Sequence, residues 1–228
     1  MRELHFLPPA QFTSDLDFVV EVQDAAAFKQ VISHYDARPN KFGGYGLKFH
    51  GGIRIDFWSA QETWANVEGH KNVSRLEDVV ETTFFNVDAI LYVLGENRLV
   101  AKEGTREALN ERFLDVNLLP NPNPAGAAIR AIRKLVVHHM RASGSLLNFI
   151  AEQIDTNGWQ HLSNLDAKAY PHRPLLRHVC NRSSWSGESF VRYARANGDQ
   201  LLTSKQLEFE FRRETPPHFS ARPLDERS

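Results

Sequence analysis

Ser14-Asp15-Leu16-Asp17-Phe18-Val19-Val20 is answered later in the chain by Ile53-Arg54-Ile55-Asp56-Phe57-Trp58, a second apolar segment with an aspartate at its centre. Phe18, Val19, Val20 and Val22 are β-formers, which predicts a strand over residues 14–22. Side chains two apart on a strand share a face, so Asp15 and Asp17 project together and Leu16 is expected to turn into the core. Asp56 sits in a second apolar strand and joins them if the two strands are neighbours. Convergent carboxylates are the donors that hard, oxygen-seeking Mg²⁺ or Mn²⁺ takes, with substrate phosphates completing the shell. A site of that kind supports in-line displacement at phosphorus. The plain alternative is a pair of solvated acids at a strand end, and the doublet by itself leaves both readings open.

The chain has 228 residues, 42% hydrophobic and 24% charged, the composition of an ordinary globular protein. No apolar run reaches the ~18 residues of a membrane span. The first residues, Met1-Arg2-Glu3-Leu4-His5-Phe6-Leu7-Pro8-Pro9, do not read as a secretory signal. The lone Cys180 excludes an internal disulfide and a cysteine-based zinc cluster and reads as a packed thiol; a reducing, cytoplasmic setting is expected. The net charge of −1 hides an asymmetry: residues 121–228 carry 15 Lys/Arg against 10 Asp/Glu, while residues 1–120 carry 12 against 18. An acidic front half suits a divalent cation, and a basic back half suits either a polyanion or a solvated helical surface.

Along the chain, Asp24–Ser33 predicts a helix with Asp24 as its cap and Ala25, Phe28, Val31 and Ile32 as its apolar stripe. The glycines of Gly43-Gly44-Tyr45-Gly46 enter a strand rather than a helix, so they read as hairpin freedom more than as a phosphate loop. His50-Gly51-Gly52 is a tight turn, and Ile53–Trp58 is the returning strand. Trp58 and Trp64 flank that strand and read first as packing residues. Ser74 and Glu77 have capping-box spacing for a short helix to Val80. Thr82–Leu94 reads as strand followed by helix, and Arg106–Phe113 as a short helix. Pro120-Asn121-Pro122-Asn123-Pro124 breaks regular structure and marks a junction. Ala127–His139 and Ser145–Ile154 read as helices. Residues 156–200 read as mixed and loop-rich, and residues 215–228, with three prolines, as a disordered tail. The expected organisation is a head over 1–120, a helical region over 121–214 and that tail.

Taken in order, these segments resemble the head domain of class II tRNA nucleotidyltransferases and bacterial poly(A) polymerases. Met1-Arg2-Glu3-Leu4 resembles part of the family's Gly-Gly-x-Val-Arg-Asp segment, and Ser14–Val20 resembles its carboxylate strand. Phe42–Trp58 is similar to its next two strands. Thr83-Phe84-Phe85-Asn86-Val87-Asp88-Ala89-Ile90-Leu91-Tyr92 resembles its Arg-Arg-Asp-Phe-Thr-Ile-Asn-Ala-Leu-Ala-Tyr segment. Ala128-Ile129-Arg130-Ala131-Ile132-Arg133-Lys134 resembles the helix that follows the head. The match covers roughly residues 1–140. Three departures stand out: the family's glycine pair would fall before Met1, its Arg-Arg-Asp is Thr82-Thr83-Phe84 here, and its asparagine aligns best with Asp88.

The resemblance implies an α+β fold, a nucleotidyltransferase-type mixed sheet followed by helices. It implies transfer of a nucleoside monophosphate from a nucleoside triphosphate to a hydroxyl, with Mg²⁺ or Mn²⁺ as cofactor. Asp15, Asp17 and Asp56 would be the metal-binding and catalytic carboxylates. Ser14 and Asp88 fall in nucleotide-binding segments, and Arg2, Arg130 and Arg133 would offset phosphate charge. The acceptor stays open among an RNA 3′ end, another nucleotide and a protein hydroxyl. The competing class is a degenerate head that binds nucleotide or RNA without transfer. The altered Arg-Arg-Asp segment favours that class, and the retained aspartates favour the enzyme.

Overall fold

The computed structural model describes residues 15–40, 43–48, 54–181 and 184–197, with the backbone alone for Cys180, Asn181 and Asn197. Arg2, Ser14, the turn at His50–Gly52, the tail over 215–228 and the packing of Cys180 lie outside the described residues and side chains.

Strand β1 (Leu16–Val20) leads into helix α1 (Ala25–Ser33). Asp24 caps that helix as its sequence predicts, accepting from Ala26 N at 2.8 Å and Ala27 N at 3.1 Å. Strands β2 (Arg38–Pro39), β3 (Tyr45–Lys48) and β4 (Arg54–Ser59) follow, and the sheet runs in the order β1-β4-β3-β2. β1 lies parallel to β4, while β3 is antiparallel to both β4 and β2. Alternation along each strand then sorts the side chains. Phe18, Phe57 and Tyr45 share one face, where Tyr45 stacks on Phe57 and meets Phe28 of α1 edge-on. Asp17, Asp56 and Gly46 share the other face. Val19, on that face too, joins a small core of Ala60, Val73, Leu76, Val79 and Leu91.

Leu16 does not turn into the core. It sits on the helix-covered face but remains 37% exposed, because β1 is the edge strand and Leu16 is its first residue.

The middle of the chain departs furthest from expectation. A short helix α2 (Trp64–Val67) follows the sheet, and Leu76–Thr82 is a 3₁₀ segment rather than an α-helix. Its capping carboxylate is Asp78, not Glu77: Asp78 Oδ2 accepts from Ser74 N, Ser74 Oγ and Arg75 N at 2.9–3.0 Å. Glu77 instead takes Arg98. The segment 82–94 is the reverse of strand-then-helix. A 3₁₀ turn at Asn86–Asp88 precedes strand β5 (Ile90–Val93), which pairs antiparallel with β6 (Arg98–Ala101). Asn86 and Asn117 force this path by taking over backbone groups. Asn86 accepts from Val87 N and Asp115 N, and Asn117 donates to Val80 O, Thr83 O and Thr83 Oγ1.

Helix α3 (Thr105–Asn110) and strand β7 (Phe113–Leu114) lead to α4 (Pro124–Val137), which starts three residues before the expected Ala127, at the last residue of the proline run, and ends before His139. Asn123 is its cap, and Pro124 is tolerated in the first turn because its missing N–H has no partner to lose there. Strand β8 (Arg141–Ala142) pairs parallel with β7, and α5 (Gly144–Asn157) follows. Among the described residues after 156, helix outweighs the expected loop: α6 (Trp159–Ala169), a 3₁₀ segment at Leu176–Asn181, and α7 (Gly187–Asn197). Trp159, Leu162, Phe190 and Ala194 supply their buried stripe, and Trp185, just before α7, packs against Trp159 and Phe190. One large core runs from Phe84 and Phe85 through α4 and α5 to these helices.

Candidate functional site

The register of β1 on β4 sets Asp17 directly opposite Asp56. Neighbouring strands lie about 4.8 Å apart, so these two aspartates leave adjacent strands side by side on one face. Asp15 stands just before β1 and is exposed, as is Asp17. Asp56 is the buried member, at 9%. The residue two before it on β4, Arg54, shares its face and closes on it as a fork. Arg54 Nε lies 3.0 Å from Asp56 Oδ2, and Arg54 Nη2 donates to Asp56 Oδ1 at 3.2 Å. The same Nε lies 4.0 Å from Asp15 Oδ2. Arg54 thus ties two of the three carboxylates together.

Gly46, opposite Asp56 on β3, makes the space for this arrangement. A Cβ there would fall 2.7 Å from Asp56 Oδ1, closer than carbon and oxygen can sit. The glycine-rich stretch therefore serves a carboxylate, which fits its reading as hairpin rather than phosphate loop.

These carboxylates are all-oxygen, hard donors, the chemistry Mg²⁺ and Mn²⁺ prefer. The guanidinium of Arg54 already puts a cation between two of them, and Gly46 leaves a recess that a side chain would fill. The donor set thus fits a divalent cation. Among the described residues, no three His, Cys, Asp or Glu side chains are gathered closely enough to hold a metal ion in the conformation seen.

The other expected site residues are spread out. Asp88 lies on the 3₁₀ turn before β5, with Lys134 Nζ of α4 at 3.4 Å from its Oδ1. Lys134 is buried and also sits over the Phe85 ring, 5.1 Å from its centroid. Arg130, one turn earlier on α4, is exposed. Arg133 engages the helices that follow α4. Its Nη1 donates to Asp166 Oδ1 at 2.9 Å and to Arg173 O at 3.0 Å, and its guanidinium covers Tyr170 at 3.8 Å. Asp166 is fully buried and accepts as well from Leu175 N and Leu176 N. This is a structural clamp between α4, α6 and the 3₁₀ segment. Arg54, Gly46 and Lys134 are the residues that sequence reasoning passed over. For Arg54 a signal was there: Arg-x-Asp on a strand places both groups on one face.

No helix among the described residues is long and apolar enough to cross a membrane. No known family model matches the chain, and no curated protein matches it in sequence. Solved structures do. A tRNA-processing enzyme in an apo form is 17% identical, with a TM-score of 0.52 over 91% of this chain and 59% of that one. A complex of a tRNA-processing enzyme is 17% identical, with a TM-score of 0.52 over 91% of this chain and 56% of that one. A CCA-adding enzyme with CTP is 19% identical, with a TM-score of 0.50 over 72% of this chain and 41% of that one. The chain spans about half the length of these proteins. At such identities the likeness is one of fold, and that fold is nucleotidyltransferase-like, a mixed sheet with the helices that follow it.

Proposed function

We propose that this chain is a metal-dependent nucleotidyltransferase, moving a nucleoside monophosphate from a nucleoside triphosphate to a hydroxyl, with an RNA 3′ end as the first acceptor to try. The observation that carries the reading is the pairing of Asp17 with Asp56 on adjacent parallel strands, Asp15 reaching the same cluster through Arg54. The CTP complex of a CCA-adding enzyme of like fold agrees with it. In this reading Asp15, Asp17 and Asp56 hold Mg²⁺ or Mn²⁺, and the metal supplies positive charge to the phosphates. The exposed Asp15 and Asp17 orient the attacking hydroxyl and accept its hydrogen bond. Buried Asp56 keeps its place through Gly46 and β4. Arg130, exposed on α4, offsets phosphate charge, with Arg2, Ser14 and Asp88 as further nucleotide contacts. Arg133 contributes by fixing α4 rather than by reaching the nucleotide.

A melting experiment tests the site. Mg²⁺ or Mn²⁺ with a nucleoside triphosphate should raise the melting temperature by mass action, and Asp15→Asn with Asp17→Asn should abolish that rise while the protein stays folded. An equal rise in both proteins removes the site. Short single-stranded RNA in a filter-binding titration at two salt concentrations tests the acceptor: binding that weakens with salt supports RNA through phosphate contacts, and none at low salt removes it.

The second reading is a non-catalytic nucleotide- or RNA-binding relative. The ion pair that Arg54 makes with Asp56 favours it, since a carboxylate engaged on both oxygens is not presented to a metal. A triphosphate-dependent melting rise without transfer to any hydroxyl would select this reading.

A further inference from the structure

The carboxylate face contains its own cation. Arg54 lies on the same strand as Asp56 and on the same face, with both Asp56 oxygens engaged at 3.0 and 3.2 Å. Its Nε also approaches Asp15 at 4.0 Å. One positive group therefore stands between two carboxylates, where a divalent ion would draw the same oxygens inward. A ligated Mg²⁺ sits about 2.0–2.1 Å from its oxygens, and its charge repels a guanidinium at hydrogen-bond distance. Both cations cannot hold Asp56 in this way together. Arg54 has somewhere to go: its side chain is 52% exposed, whereas that of Asp56 is 12% exposed. Gly46 fixes the carboxylate, since the recess above it lets Oδ1 lie over β3. The mobile partner is the arginine.

We propose that Arg54 competes with the divalent cation: it occupies both Asp56 oxygens and must leave before Asp56 can bind metal. The proposal rests on the reading of Asp15, Asp17 and Asp56 as metal ligands. Arg54 weakens cation affinity in the resting protein, and it keeps a buried carboxylate paired until the cation arrives. Removing its charge should therefore tighten metal binding, whereas an arginine that only organised the site would weaken binding when removed.

The test is a titration of the full chain with Mn²⁺ alone, free ion being counted by its electron paramagnetic resonance signal. Arg54→Gln should bind Mn²⁺ about five- to tenfold more tightly than wild type, the scale expected for losing one half-exposed ion pair and one repelling charge. Arg54→Lys, which keeps the charge and loses the fork, should fall between. In an Asp56→Asn background the gain from Arg54→Gln should shrink, because the competed ligand is gone. Melting curves of each variant establish that it is folded. Wild-type binding with Arg54→Gln no tighter, or weaker, overturns the role of Arg54 and leaves the metal reading standing. Absence of Mn²⁺ binding at millimolar concentration in both proteins overturns the metal reading and this proposal with it.

Discussion

Replacing Asp166 by alanine should destabilise the chain more than any substitution at the exposed aspartates Asp15 and Asp17. Asp166 is fully buried and holds three donors at once: Arg133 Nη1 at 2.9 Å, Leu175 N at 2.6 Å and Leu176 N at 2.9 Å. Alanine would leave two backbone amides without their acceptor and a guanidinium, only 13% exposed, without its counter-charge. Breaking a buried pair from one side costs about 3–5 kcal/mol. The two orphaned amides, a mechanism worth roughly 1–3 kcal/mol where water cannot reach, are counted within that cost and place it toward the upper end. For a domain of this length, each kcal/mol lowers the melting temperature by about 2–4 °C, so a fall of roughly 6–20 °C is expected. Arg133→Ala strands the carboxylate but keeps its two amide donors, and loses the stacking on Tyr170 at 3.8 Å. Its cost should be about 3 kcal/mol, with partial recovery in Arg133→Lys. Thermal and urea unfolding followed by far-ultraviolet circular dichroism reads both. A loss below about 1 kcal/mol for Asp166→Ala refutes the clamp, against the buried-pair scale. An Arg133→Ala protein of wild-type stability that no longer responds to nucleoside triphosphate would return that arginine to the nucleotide site.

Other outcomes rest on the same geometry. Gly46→Ala brings a Cβ within 2.7 Å of Asp56 Oδ1 and must push the carboxylate off its recess. Because that oxygen ends a side chain, the stability loss should be about 1 kcal/mol, while Mn²⁺ affinity falls severalfold in the titration used for Arg54. The Lys102 ammonium, donating to Glu81 at 2.8 Å, holds that carboxyl below its usual range. A lowered folded-state value gives stability that is present above the ordinary glutamate range and lost as pH falls through the folded value. The melting temperature of wild type should therefore drop faster than that of Glu81→Gln below about pH 4.5, and parallel curves would contradict it.

Much of the front half was legible because its signals are local. The β-formers Phe18, Val19 and Val20 give β1, and Asp24 caps α1 where an acceptor is needed. The carboxylate pair was legible in part: spacing gives a shared face, but the neighbour relation of β1 and β4 belongs to topology, which no local pattern states. The segment 82–94 misled because its apolar run fits strand and helix alike. Long-range bonds decide the matter: Asn86, inside the segment, accepts from Asp115 N, and Asn117, outside it, donates to Val80 O. The helices after 156 were hidden by polar outer faces, where residues such as His161, Lys168 and Arg192 dilute a stripe of Trp159, Leu162 and Phe190. Arg133 shows the limit of motif transfer. Its place on α4 follows from the sequence, yet its direction is set by a buried acid 33 positions away.

Transfer itself is the decisive measurement. Each nucleoside triphosphate, labelled at the α-phosphorus, is incubated with the protein, Mg²⁺ or Mn²⁺, and total RNA, a nucleotide mixture or the protein alone as acceptor. Metal-dependent label is expected on one acceptor, lost by at least about a hundredfold in Asp15→Asn with Asp17→Asn, the scale on which removing charge stabilisation at the reacting group slows a reaction. Label that survives the double substitution, or that appears equally without metal, would contradict metal-dependent transfer at these aspartates.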